Sequence, residues 1–151
     1  MRKLCIGKWG IGLILIGLIG LTSCIGSPTS DQSVTVTLTD NAIQSSLTAF
    51  NVNKSYQFVV TNKGQVMHEF MIMPPPSSTR NMSPDELNKV ALASIPSLEP
   101  GQTKNLNFTF THDNSMKYST GMDMRGFEFA SHLPGQYEKG MKLTISIIPG
   151  Q

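Results

Sequence analysis

Cysteine is scarce in this chain of 151 residues, which contains only Cys5 and Cys24. Both lie near the N-terminus, so everything after Cys24 is free of thiols. A domain formed by the later residues therefore has no disulfide and no thiolate to serve as a metal ligand or a nucleophile. The scarcity of cysteine excludes thiol catalysis and every metal site that depends on cysteine.

Charge and long apolar runs are also limited. Charged residues make up 15% of the chain, and the apolar run Trp9–Leu21, at roughly 13 residues, is short for a membrane span. Arg2, Lys3 and Lys8 precede this run, which is the pattern of a secretory signal peptide. Without residues 1–23, the 12 basic residues fall by these three to nine, against 10 acidic ones, a net charge near −1. No nucleic-acid partner is expected.

The apolar run ends in Leu21-Thr22-Ser23-Cys24, which resembles a bacterial lipobox. The resemblance implies cleavage before Cys24 and lipidation of its thiol, and hence a protein anchored to a bacterial membrane outside the cytoplasm. An uncleaved anchor helix with an incidental cysteine is the alternative. We predict a lipoprotein signal peptide at 1–23, a flexible tether at 24–32 and one domain at 33–151.

Alternation of apolar and polar residues predicts that most of this domain is β-strand. Val34, Val36 and Leu38 alternate with Ser and Thr, and the same period of two recurs in later segments. The predicted strands are Ser33–Thr39, Ser55–Asn62, Val66–Met73, Ile95–Glu99, Lys104–Thr111, Phe127–Ala130 and Met141–Ile148, with a further short one near Thr48–Val52 in an ambiguous stretch.

One helix interrupts the strands. Ser83-Pro84-Asp85-Glu86 has the residues of a capping box with Pro at the first helical position, and the helix is predicted to end near Ala93. The polar stretch His112–Gly126 is predicted to be a long loop. About seven short strands with one inserted helix predict an all-β sandwich.

Motifs of common enzyme classes are missing from the sequence. It has no Gly-rich phosphate loop, no zinc-ligand spacing and no Gly-x-Ser-x-Gly elbow. Ser131 and His132 are adjacent, but neighbouring residues of a strand face opposite ways, so they do not form a nucleophile–base pair. We therefore expect that the protein is not an enzyme.

Short motifs in a fixed order carry a resemblance to a known family. They are Asn62-x-Gly64, His68-Glu69-Phe70, Leu98-x-Pro100-Gly101 and Phe129…Pro134-Gly135…Gly140-Met141. Their order resembles that of small bacterial cupredoxins, the plastocyanin-like and azurin-like blue-copper domains, over about residues 33–148. The resemblance implies a Greek-key β-sandwich with a copper site at its final loop.

The resemblance also implies a ligand set, which this chain keeps only in part. A blue-copper site uses two His, one Cys thiolate and a weak axial Met, and His68 and Met141 match two of these positions. Ser131 and Gln136 stand where the family has the Cys and the second His. A Ser hydroxyl stays protonated near neutral pH and a Gln amide is neutral, so conventional blue-copper electron transfer is not expected.

Imidazole and thioether donors remain near this loop. They select Cu(I) rather than hard cations, so copper, as Cu(I), is the predicted cofactor. The candidate ligands are His68, Met141, His132, Met122 and Met124, although strand parity directs the His132 side chain away from the Ser131 side. Met67 and His112 are weaker candidates.

Two functions are compatible with this sequence. The favoured one is copper homeostasis, or copper delivery to a copper-requiring oxidase or another extracytoplasmic protein. The alternative is a metal-free module that keeps the sandwich and uses the former copper end for protein contact. In that alternative His68 and Met141 only pack, as Met usually does, and Met71 and Met73 are core or surface filler in either case.

Overall fold

The computed structural model describes residues 31–118 and 125–148, which form two packed β-sheets. The predicted signal peptide, Cys24, most of the tether, Met122 and Met124 lie outside the described residues. The elements are β1 Gln32–Thr39, β2 Ala42–Ser45, β3 Ala49–Asn51, β4 Ser55–Asn62, β5 His68–Met73, α1 Pro76–Thr79, α2 Pro84–Val90, β6 Ala93–Leu98, β7 Thr103–Thr109, α3 His112–Met116, β8 Arg125–Ala130 and β9 Lys142–Ile148.

The first sheet has the strand order β2-β1-β4-β7. Strand β1 runs parallel to β4, with Val36 opposite Val60, and the other pairs are antiparallel. Burial alternates along β1 and β4, so one face of each strand lies in the core. The period-two prediction is confirmed for both strands.

The second sheet has the strand order β3-β9-β8-β5-β6. Strand β5 lies between β8 and β6, is antiparallel to both, and is buried at every residue. It is covered on both faces, because Phe70 and Ile72 belong to the central core while Met71 and Met73 pack in a second apolar cluster. This double burial places His68, at the start of β5, in a fixed position.

An aromatic cluster joins the two sheets. Phe50 lies at its centre, with ring centroids 5.0 Å from Tyr56, 5.1 Å from Phe110 and 5.7 Å from Phe129. Phe129 also lies 5.0 Å from Phe70, and all of these rings are buried. Pairs of this kind contribute about 0.5–1.5 kcal/mol each beyond their burial, so the cluster determines how the sheets pack.

The inserted helices cover the outer face of the second sheet. Leu87 of α2 packs there against Met71, Met73 and Ala130. The cap of α2 agrees with the sequence prediction, since the Ser83 backbone N–H donates to a carboxylate oxygen of the third helical residue (2.8 Å). The helix ends at Val90, before the predicted end, because β6 already begins at Ala93.

The all-β class is confirmed, but the described part has nine strands rather than about seven. The stretch at 42–53 that the sequence left ambiguous contains both β2 and β3. The predicted loop 112–126 begins with α3, where Thr111 Oγ1 accepts from the Asn114 N–H (3.2 Å). The sequence indicates α3 only by its polar N-cap, because the segment has no apolar residues at helical spacing. Within residues 31–118 and 125–148, no helix is long and apolar enough to cross a bilayer.

Candidate functional site

The loop 131–140 connects β8 to β9 and brings the family's four ligand positions together at one end of the sandwich. The Ser131 N–H donates to the Met141 carbonyl (3.0 Å), and the Met141 N–H donates to the Gln136 carbonyl (3.1 Å). His68 begins β5, the neighbour of β8. Ser131, Met141 and His68 are fully buried. The positions that the resemblance implied therefore converge in space.

The Gln136 side chain occupies the centre of this end. Its Oε1 accepts from the Ser131 hydroxyl (2.7 Å) and lies 2.8 Å from His68 Nδ1. Its Nε2 donates to the Met67 carbonyl (2.8 Å). The hydrogen bond to the Met67 carbonyl determines the orientation of the Gln136 amide, because the flipped amide would place its oxygen against the carbonyl oxygen of Met67. His68 Nδ1 therefore carries a proton and donates to Oε1.

Asp40 contacts the opposite side of the His68 ring. His68 Nε2 lies 3.3 Å from Asp40 Oδ1, so both ring nitrogens face oxygen atoms. The Gln65 N–H donates to the same Oδ1 (2.8 Å). This hydrogen bond, followed by smaller contributions from the Val66 N–H and from His68, lowers the pKa of Asp40. The carboxylate form of Asp40 is thereby favoured beside the imidazole.

The turn before β5 supports the imidazole. Buried Asn62 donates through Nδ2 to the carbonyls of Val66 (2.8 Å) and Leu98 (2.9 Å), and its Oδ1 accepts from the Gly64 N–H (2.8 Å). A Cβ at Gly64 would lie 2.3 Å from Asp40 Oδ1 and 2.6 Å from His68 Nε2. Any larger residue at position 64 would therefore displace both side chains.

The donors at this end do not fit a blue Cu(II) centre. Such a centre needs a thiolate and two neutral imidazoles, whereas the converging residues supply one imidazole, His68, and the neutral oxygens of Ser131 and Gln136. Copper bound here has to displace the Gln136 amide from His68. The imidazole and the Met141 thioether are then the remaining soft donors, and such donors suit Cu(I).

His132 does not join His68 and faces away from Ser131. Its ring stacks on Tyr137, with centroids 4.6 Å apart and 14° between the planes. In the described part of the chain, His132 Nε2 is a buried side-chain nitrogen without a hydrogen-bond partner. Burial lowers the pKa of His132, although the charge of Glu138 opposes the shift. The ring is therefore mainly neutral at pH 7.

Tyr137 connects the middle of the loop 131–140 to strand β8 of the second sheet. Its hydroxyl donates to the Glu128 carboxylate (3.0 and 3.2 Å), and Lys142 Nζ lies 4.3 Å from its ring centroid. Burial raises the pKa of Glu128, against the opposing effects of Tyr137 and Lys142. Burial and the neighbouring Glu128 charge raise the pKa of Tyr137 to about 12.

A second buried carboxylate, Glu69, holds the start of the loop. Its Oε1 accepts from the His132 N–H (2.5 Å). Burial raises the pKa of Glu69, and the N–H groups of His132 and Leu133 oppose that shift. Sequence reasoning did not assign roles to Glu69 or Glu128. A signal was present for Glu128, because it is a lone carboxyl between Phe127 and Phe129 in a strand, which indicates a buried partner. Glu69 lies between His68 and Phe70 and gave a weaker signal of the same kind.

The replacement Tyr137→Phe tests the tie between the loop and the sheet. The native protein keeps the Tyr137 proton above pH 10.0, up to about 12. The unfolded chain binds fewer protons in that window, so wild-type stability falls as the pH rises through it. The variant should lack this contribution and lose about 1–3 kcal/mol at neutral pH, since Glu128 loses its donor. Urea denaturation at pH 7 and pH 11 checks both effects, and equal pH slopes in both proteins would contradict them.

The remaining candidates are dispersed or outside the described residues. Met67 is 41% exposed beside the site, and His112 is exposed at the start of α3. Met122 and Met124 belong to the segment 119–124, which is not described. In the described ranges, no group of three or more His, Cys, Asp or Glu side chains is arranged to hold a metal.

No protein-family model matches the sequence, and no curated protein matches it. Solved structures do match. A dithionite-reduced auracyanin from Roseiflexus castenholzii is 15% identical, with a TM-score of 0.57 over 80% of this chain and 98% of that one. Auracyanin A from Chloroflexus aurantiacus, described as a blue copper protein, is 14% identical, with a TM-score of 0.52 over 77% of this chain and 99% of that one. An azurin from Methylomonas sp. strain J is 13% identical, with a TM-score of 0.50 over 79% of this chain and 99% of that one. The chain thus has the cupredoxin fold.

Proposed function

We propose that the protein handles copper as Cu(I), through imidazole and thioether donors, and does not perform blue-copper electron transfer. The supporting observation is the composition of the converged end. Two soft donors, His68 and Met141, are kept at the ligand positions, while neutral oxygens of Ser131 and Gln136 replace the stronger ones. Such a set lacks the thiolate and the second imidazole of a blue-copper centre, and its remaining imidazole and thioether favour the softer, singly charged ion.

The proposed setting is outside the cytoplasm, with the protein anchored by lipid to a bacterial membrane. The basic start, the apolar run and Leu21-Thr22-Ser23-Cys24 support export and lipidation at Cys24. A short flexible tether then allows the domain to meet other extracytoplasmic proteins. In this setting the protein serves copper homeostasis or delivers copper to an extracytoplasmic oxidase, without catalysing a reaction itself.

A Cu(I) titration of the full-length chain in detergent micelles tests this function. Under reducing conditions and against a competing chelator, we expect at least one Cu(I) to bind per chain at micromolar concentration. Added Cu(II) should give no blue absorption, because no thiolate is present to transfer charge to the metal. A chain that binds no Cu(I) at this concentration would eliminate the proposal.

A metal-free contact module is the second candidate, and the Gln136 bridge favours it. Its amide satisfies His68 and Ser131 without an ion. Val66 and Met67, 51% and 41% exposed, adjoin this end and offer apolar surface to a protein partner. If this candidate is right, the titration finds no metal, and replacing both residues by Ser weakens partner binding without changing the melting temperature.

A further inference from the structure

A groove of about 310 Å³ lies between the α1–α2 segment and the loop 131–140. His132 and Tyr137 line it from the loop, and Met82 and Leu87 line it from the helical segment. The groove is separate from the end that holds His68, because the His132 ring faces away from Ser131. It is therefore a second place with donor residues of this chain, His132 and Met82, in its walls.

The buried Nε2 of His132 is the unexplained atom of this groove. It has no hydrogen-bond partner in the described part of the chain. Buried polar groups normally find a partner, and one without it indicates a missing water, ion or ligand. A neutral imidazole nitrogen with a free lone pair is also a common metal ligand.

The His132 ring is held in place before any ligand arrives. It stacks on Tyr137, whose hydroxyl is bonded to Glu128, and its own backbone N–H is bonded to Glu69. The ring orientation is therefore determined by two buried carboxylates rather than by a ligand. Supporting contacts of this kind orient metal ligands in known sites.

One methionine, Met82, lies on the helical side of the groove. Met82 lines it directly and packs against the cluster that contains Met71 and Met73. Arg80 and Glu138 also line the groove and carry opposite charges, so they add no net charge against a monovalent cation. An imidazole beside a thioether is a soft donor pair, which prefers Cu(I) or Ag(I) to hard cations.

We infer that His132 Nε2 and the Met82 thioether bind a soft monovalent metal ion, Cu(I) or Ag(I), in this groove. The inference rests on the proposed function and adds a second site to it. The ion in the groove is bound in addition to the one proposed at His68 and Met141, the end occupied by the Gln136 amide. No covalent step is involved, since the ion enters and leaves as a cation.

Ag(I) titration of the full-length chain in detergent micelles, followed by NMR, tests the inference. The His132 ring nitrogens and the Met82 methyl group should shift together and saturate when one ion occupies the groove. His132→Phe, which keeps the stack on Tyr137, and Met82→Leu, which keeps the volume, should each weaken binding in the groove by at least about tenfold. The exposed His112→Gln serves as the matched control and should bind as the wild type does.

The outcomes separate the site from the function. If the wild type binds no Ag(I) or Cu(I) at micromolar concentration, both the groove site and the proposed function are wrong. If binding persists in His132→Phe and Met82→Leu but is lost in His68→Gln or Met141→Leu, the function stands and the groove site is overturned. Met82 is half-buried, so its leucine variant should keep the fold and leave the result interpretable.

Discussion

Replacing Ser131 by Cys and Gln136 by His in the same chain is expected to give a protein that turns blue when Cu(II) is added. Both positions already converge on His68 and Met141, so the double variant completes a set of two imidazoles, one thiolate and one thioether. Cys matches Ser in shape, and the new imidazole replaces the amide that now bonds to His68. Loss of one residue that only supports a metal ligand changes affinity by about 10–100-fold. Two added ligands contact the metal directly, so they should raise Cu(II) affinity by more than about 100-fold.

The single variant Gln136→His is the matched control for this experiment. It should bind Cu(II) more tightly than the wild type but lack the intense blue band, because only a thiolate gives that charge-transfer absorption. Absorption spectroscopy during a Cu(II) titration distinguishes these products. If the double variant is folded, binds copper and is colourless, the loop does not place its ligands as in a blue-copper site.

Of the substitutions at polar residues, Asn62→Ala should destabilise the protein most. Asn62 is fully buried and makes three side-chain hydrogen bonds, to the carbonyls of Val66 and Leu98 and from the Gly64 N–H. Truncation leaves these backbone groups without partners, and each buried orphan costs about 1–3 kcal/mol. We therefore expect the free energy of unfolding to fall by about 3 kcal/mol or more.

Chemical denaturation measures this loss, with Asn107→Ala as the matched control. Asn107 is exposed on the edge strand β7, so its replacement should change stability by less than about 0.5 kcal/mol. The Asn62 variant should also shift the His68 ring resonances, because Gly64 packs against His68 Nε2. Equal stabilities of the two variants would show that the Asn62 turn does not support the site.

Most of the strand positions could be predicted because one face of each strand is buried. Strand β4 has the predicted bounds, and its Tyr56, Phe58 and Val60 are all in the core. The short strand predicted near Thr48–Val52 is confirmed as β3, Ala49–Asn51. Strand β2 could not be predicted, because it has only four residues, of which one is buried. Helix α3 was missed for a similar reason, since its signal is a polar cap and not an apolar stripe.

The convergence of the ligand positions was implied by the resemblance to cupredoxins, but the bonds between these residues could not be predicted. Gln136 was expected only as a weak donor, whereas its amide bridges His68, Ser131 and the Met67 carbonyl. Such a bridge depends on the direction of one flexible side chain, which no sequence period encodes. The separation of His132 from His68 follows from strand parity and was the part of the site that local geometry could indicate.

The central claim, that this cupredoxin-fold protein holds copper as Cu(I) through imidazole and thioether, is tested most directly by X-ray absorption at the copper edge. The sample is the full-length chain loaded with Cu(I) against a competing chelator. The edge should report Cu(I), and the first coordination shell should contain nitrogen and sulfur, because no thiolate exists after Cys24 and the thioethers are the soft donors. A chain that retains no copper, or a shell of oxygen and nitrogen without sulfur, would contradict the account.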